Sequence, residues 1–244
     1  GFNLILMDIN IVNNEKKFLA GELEGYNLKG AENKFDDKGN PLPFPGCTII
    51  CNIPLNTYLS NLINSFQKKL ENFNPKKTYF YLPSSSFHMT LFDCCNLNTK
   101  NTNNWPSNID SNMDYKDIAV ELNKRIQNYI FPEKLNLKLK MFFGGYSIIL
   151  EPYSEEDEKI LRNCRDELSS LLKIKFENHQ RYTFHITLGY ILRELKEDEI
   201  KNLLEFNKNL FQEFNKEVAK IILNKPKMST FENMLEFKSV IQKF

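Results

Sequence analysis

Two five-residue stretches of the chain nearly repeat each other: Phe87-His88-Met89-Thr90-Leu91 and Phe184-His185-Ile186-Thr187-Leu188, 97 residues further on. Only three histidines occur in the 244 residues, and two of them stand in this repeat. With residue frequencies of about one in twenty, a second match to four fixed positions arises by chance in roughly one of several hundred chains of this length. Two imidazoles are the simplest machinery for phosphodiester chemistry without a metal. One, neutral, takes a proton from an attacking water or hydroxyl; the other, protonated, gives one to the leaving oxygen. Thr90 and Thr187 would donate hydrogen bonds to the non-bridging oxygens, where negative charge must be held. Because the two imidazoles need opposite protonation states, the expected rate peaks near neutral pH.

Such a site requires both motifs to lie on strands. Alternate side chains of a strand share a face, so His88 pairs with Thr90, and His185 with Thr187, while the neighbouring Phe, Met, Ile and Leu residues take the other face and pack under helices. The surrounding pattern supplies those elements. Residues 47–53 read as a strand ending at Pro54. Leu55, Tyr58, Leu59, Leu62, Ile63, Phe66 and Leu70 fall at helical spacing through Phe73. Residues 79–82 and 87–92 are strand-like, separated by Pro83 and the serines Ser84, Ser85 and Ser86. A polar loop over 96–112 precedes a helix over 115–129, with Asp114 as its cap. Strands at 135–142 and 146–151 meet at Gly144-Gly145 as a hairpin. Ser154 and Asp157 resemble a capping box opening a helix to about residue 172. Residues 182–191 form the second motif strand, 196–214 a further helix, and 218–223 and 235–240 closing strands. Residues 13–45, rich in Lys, Asn, Gly and Asp, with Pro41, Pro43 and Pro45, read as an irregular lead-in. Interleaved helices and mostly antiparallel strands define an α+β fold. One motif strand per half implies two related lobes around a central cleft.

Composition narrows the partners. The chain is 41% hydrophobic and 26% charged, as in a folded globular protein. Lys plus Arg number 32 and Asp plus Glu 31, a net charge of +1. No global positive field exists to steer a long nucleic acid, so phosphate attraction must be local, suited to a small substrate or a strand end. Five cysteines, odd in number and without a CxxC pair, read as reduced thiols in an intracellular protein, expected in the cytoplasm with the nucleus as the alternative. The partly apolar stretch Phe2 to Val12 is broken by Asn3, Asp8 and Asn10 and is too short to span a bilayer.

Both motifs have the form His-x-Thr-x, as His88-Met89-Thr90-Leu91 and His185-Ile186-Thr187-Leu188. In this the chain resembles the 2H phosphoesterases, the LigT-like group. Pro43-Phe44-Pro45-Gly46-Cys47-Thr48, Trp105-Pro106 and Phe231-Glu232-Asn233-Met234-Leu235 resemble a branch of that group known mainly as a domain of unknown function. The resemblance spans residues 30–237. It implies pseudo-symmetric antiparallel sheets flanked by helices with a central cleft, a single bilobal domain over 30–244, and an N-terminal extension over 1–29. It implies His88 and His185 as catalytic residues and Thr90 and Thr187 as phosphate-binding residues. It further implies hydrolysis, without metal or cofactor, of 2′,3′-cyclic phosphate RNA ends, cyclic nucleotides or short oligonucleotides. A catalytically silent nucleotide- or RNA-end-binding module of the same fold is the alternative.

Other residues are weighed beside this pair. Zinc would want three or four protein ligands, and neither motif supplies a carboxylate or thiolate on its own face, with Asp93 five residues from His88. Ser84-Ser85-Ser86 lacks the Gly-x-Ser-x-Gly setting of a hydrolase nucleophile, leaving Ser86 as a substrate contact. His179, in a polar run, is expected at the surface. For substrate binding, Arg181 falls on the His185 face by strand alternation, Tyr182 and Tyr190 fall opposite, and Tyr81 precedes the first motif.

Overall fold

The structure, a computed structural model, describes residues 8–26 and 33–240. Its elements are α1 (Ile9–Asn13), α2 (Glu15–Leu19), β1 (Gly46–Asn52), α3 (Tyr58–Phe73), β2 (Tyr79–Tyr81), β3 (His88–Asn96), α4 (Tyr115–Arg125), β4 (Lys134–Phe143), β5 (Ser147–Pro152), α5 (Glu155–Leu172), β6 (His185–Thr187), β7 (Gly189–Ile191), α6 (Glu197–Glu217), β8 (Ile221–Asn224), β9 (Lys227–Phe231) and β10 (Lys238–Ser239). One-turn 3-10 helices at Ser84–Ser86 and His179–Arg181 lead into the two motifs. No helix among the described residues is long and apolar enough to cross a membrane. The expected boundary between residues 29 and 30 lies outside the described residues.

The α+β expectation holds, and the two halves join in one sheet. Among the described residues its eight antiparallel strands run β10-β9-β1-β3-β6-β5-β4-β8. The motif strands β3 and β6 are adjacent at its centre. Outward from them, β1 mirrors β5, β9 mirrors β4, and β10 mirrors β8. Each half reaches its motif strand through a helix, α3 after β1 and α5 after β5. Those helices begin at Tyr58 and Glu155, 97 residues apart like the histidines. The sheet curls enough to bring β8 against β1. Met89, Leu91, Phe92, Ile186 and Leu188 are fully buried in one continuous core.

Local chemistry fixes the ends of these elements. Thr57 accepts a hydrogen bond from the Ser60 amide at the start of α3. The Ser154 hydroxyl accepts from the Asp157 amide at the start of α5, and the Asp114 carboxylate accepts from the Lys116 amide at α4, both as the sequence indicates. The β4–β5 turn needs φ of +63° at Gly144 and +81° at Gly145, which glycine alone adopts without strain.

Several expectations are corrected. The second motif strand does not run continuously over 182–191. It breaks after Thr187, and β7 leaves the main sheet to pair with β2 in a two-stranded sheet. A side chain at Gly189 would collide with the Phe80 carbonyl, so glycine there permits the pairing. The lead-in contains α2, preceded by α1, and is held there because Phe18 and Leu19 bury against Phe143 and Ile149. At the C-terminal end the sequence pattern missed β9, whose exposed Lys227 and buried polar Ser229 disguise a strand paired to β1.

Candidate active site

Strand alternation places the chemistry as the motifs require. His88, Thr90, His185 and Thr187 are half-buried, while Met89, Leu91, Ile186 and Leu188 between and beside them are fully buried. Met89 pairs with Ile186 in the antiparallel β3–β6 ladder, which sets His88 opposite Thr187 and Thr90 opposite His185. The two imidazoles occupy one diagonal of a four-residue square and the two hydroxyls the other. Diagonal neighbours in such a ladder lie about 7–8 Å apart, their Cβ atoms somewhat closer, so both rings stand within reach of one small group on that face.

Both rings are anchored in the same way. His88 Nδ1 lies 2.7 Å from the Ser86 carbonyl oxygen, and His185 Nδ1 lies 2.9 Å from the Thr183 carbonyl oxygen. A carbonyl can only accept, so each Nδ1 carries the proton and donates it, leaving each Nε2 with a free lone pair. Among the described residues neither Nε2 has a hydrogen-bond partner, and neither do the hydroxyls of Thr90 and Thr187. Burial pushes His88 down to about 4, with the neighbouring His185 adding to the effect. Burial also lowers His185, helped by the Lys34 ammonium. Both rings are therefore neutral at pH 7. The Phe237 ring packs 4.2 Å from the His88 ring.

The back of the sheet braces this arrangement. Tyr182 donates its hydroxyl to the Thr90 carbonyl at 3.0 Å, tying the segment before the second motif to the first motif strand. The buried Arg165 guanidinium of α5 donates to the Leu91 and His179 carbonyls and lies 4.2 Å over the Tyr182 ring. His179 is not at the surface as expected. Its side chain is 5% exposed, with Nε2 2.7 Å from an Asp166 carboxylate oxygen.

The remaining sequence-selected residues lie elsewhere. Arg181 sits in a 3-10 turn rather than on a strand, so alternation does not apply to it, and its Nε lies 3.3 Å from the buried Asp8 carboxylate. Ser86 contributes its carbonyl to His88, while its hydroxyl donates to the Pro83 carbonyl at 2.8 Å. Tyr81 donates to the Gly145 carbonyl and accepts from the Asn74 amide. In the β2–β7 pairing it takes the face away from Phe80 and Tyr190.

Asp93 and Lys34 enter where the sequence reading had not placed them. By strict alternation Asp93 falls opposite His88. A β-bulge intervenes, because Ile49 pairs with Phe92 while Ile50 pairs with Thr90. The extra residue reverses the parity, and Asp93 joins the Thr90 face, accepting a hydrogen bond from Thr48 at 2.9 Å. Burial raises its pKa, against Thr48 and Lys34, which lower it. Lys34 comes from the polar lead-in, which carries no periodic signal. All five cysteines are buried and reduced. Among the described residues no three His, Cys, Asp or Glu side chains are grouped to hold a metal ion.

A family model described as a 2H phosphodiesterase domain of unknown function (DUF1868) matches residues 34–145. The resemblance to 2H phosphoesterases read from the motifs is borne out by this match, which contains the first motif. A conserved protein of unknown function from Agrobacterium tumefaciens has a similar structure, with a TM-score of 0.80 at 20% identity, over 85% of this chain and 89% of its own. A structure titled only as a phosphoesterase gives a TM-score of 0.44 at 12% identity, over 82% of this chain and 99% of its own. No curated protein matches the chain. The α+β fold with its curled antiparallel sheet is thus shared with a solved structure, and residues 34–145 resemble the 2H phosphodiesterase family.

Proposed function

We propose that the protein is a metal-independent phosphodiesterase acting on a cyclic phosphate, at a 2′,3′-cyclic RNA end or in a cyclic nucleotide, or on a short oligonucleotide. The observation that carries this reading is the pair of imidazoles on one diagonal of the β3–β6 ladder, each with Nδ1–H committed to a carbonyl and Nε2 free. A phosphodiester between them is attacked by water. One Nε2 removes the water proton as the oxygen–phosphorus bond forms. The other ring, protonated, transfers its proton to the sugar oxygen as the opposite phosphorus–oxygen bond breaks. Thr90 and Thr187 donate to the non-bridging oxygens throughout. Both rings are neutral at pH 7 without substrate, so the acid must acquire its proton on binding. An anionic phosphate beside a ring favours the imidazolium, which supplies that requirement.

The test is turnover of a panel of cyclic phosphates and short oligonucleotides, with products identified and with chelator present and absent. The expected result is a phosphomonoester product and a rate indifferent to chelator. Ligand binding without product would replace this reading with a silent binding module, and loss of activity in chelator would replace it with a metal enzyme.

A further inference from the structure

Hydroxyls share negative charge but do not neutralise it, and the two motifs contain no cation. Arg181, the arginine nearest the second motif in sequence, is paired with Asp8. Lys34 is differently placed. Its backbone is fixed by a strap over the small sheet: the Leu42 amide donates to the Lys34 carbonyl, and Phe35 bridges to Pro41. Phe35 is itself wedged between Phe80 and Tyr190, with ring centroids 4.4 and 5.0 Å away. The Lys34 ammonium projects from this strap to 5.1 Å from the Tyr190 ring centroid and 5.4 Å from that of Phe44. Among the described residues it makes no hydrogen bond or ion pair. The Phe44 ring stacks on Phe231, which packs on Phe237 beside His88, so the ammonium lies in the ring cluster that borders the site, and its charge bears on His185 and Asp93.

We propose that the Lys34 ammonium is the cation that grips a non-bridging phosphate oxygen on the His185 side of the site. This deepens the phosphodiesterase reading and rests on the same site. Three donors on an ammonium that is bonded to no anion among the described residues, walled by two rings, form an incomplete anion site. Burial pushes Lys34 down to about 8, opposed by Asp93, so the lysine keeps most of its charge at neutral pH. An ammonium acts as a compact point charge, suited to a tetrahedral group that changes geometry during reaction. Its charge also favours the neutral form of His185.

The experiment uses inorganic phosphate as probe and the whole chain with its histidine ring nitrogens labelled, since three histidines give three resolvable sets of signals. Titration of wild type at neutral pH is expected to move the His88 and His185 signals and leave His179 in place. Lys34→Met keeps the apolar stem against the rings and is expected to weaken phosphate binding about tenfold or more. Lys34→Arg is expected to stay within about threefold, and Lys38→Met, on the exposed turn of the same strap, to match wild type. Wild-type affinity in Lys34→Met, or phosphate that moves neither His88 nor His185 in wild type, would overturn the proposal. Wild type that binds phosphate through Lys34 yet turns over no phosphodiester would sustain the lysine assignment while removing the catalytic reading.

Discussion

Each motif imidazole is held by one carbonyl, two residues upstream, and that contact settles which nitrogen is left free. Burial then sets the cost of charging the rings. His88 has a pKa of about 4 in the folded chain against an ordinary 6.5. Between those values the unfolded chain binds the proton and the folded chain refuses it, so stability is complete above about pH 6.5 and is lost as pH falls toward 4. The loss is at most about 3 kcal/mol, and less because the cleft is open to solvent. His185 and His179 are also lowered and act in the same direction. Melting temperature followed from pH 7 to pH 4.5 is therefore expected to fall less in His88→Gln than in wild type; parallel curves would contradict the burial argument. The threonines are expected to matter for rate rather than folding. Thr90→Ala and Thr187→Ala should each lower kcat by about tenfold to a thousandfold with little change in melting temperature, as removal of one oxyanion donor does. Steady-state kinetics beside thermal melts would show it.

At the scale of elements, the geometry depends on where regular alternation is kept and where it is broken. Alternation holds across His88-Met89-Thr90 and His185-Ile186-Thr187, and those four site positions were legible because period two is a local property of the chain. It fails one residue later, at the β3 bulge, which is why Asp93 was assigned to the wrong face. A bulge is settled by register with the neighbouring strand and leaves no mark in composition. The same holds for Lys34, delivered by a strap whose anchor, Phe35 against Phe80 and Tyr190, joins distant segments. The long helices and the glycine hairpin were legible from periodicity, caps and turn residues. The brace behind the sheet was not, since Tyr182 meets Thr90 only after folding. Tyr182→Phe removes that hydrogen bond and is expected to cost about 1 kcal/mol and to lower the rate severalfold by loosening β3 against the second motif. An unchanged denaturation midpoint would show that the brace contributes nothing.

For the molecule as a whole, the decisive property is the approximate symmetry that brings two halves edge to edge at β3 and β6. Helix starts and histidines share one spacing of 97 residues, so the second half repeats the first in plan. The family match ends at residue 145, before the second motif, yet the fold carries that motif to the first. A net charge of +1 gives no field of the whole surface to steer an anion, so any such attraction must come from local groups. If the two imidazoles serve one transition state, they form a single unit whose removal cannot be counted twice. Turnover of one cyclic phosphate by wild type, His88→Ala, His185→Ala and the double variant, each checked for intact fold, tests this directly. The expected result is that each single variant loses nearly all activity, about a thousandfold or more, and that the double variant is scarcely worse. Full activity in either single variant, or losses that multiply in the double, would contradict it.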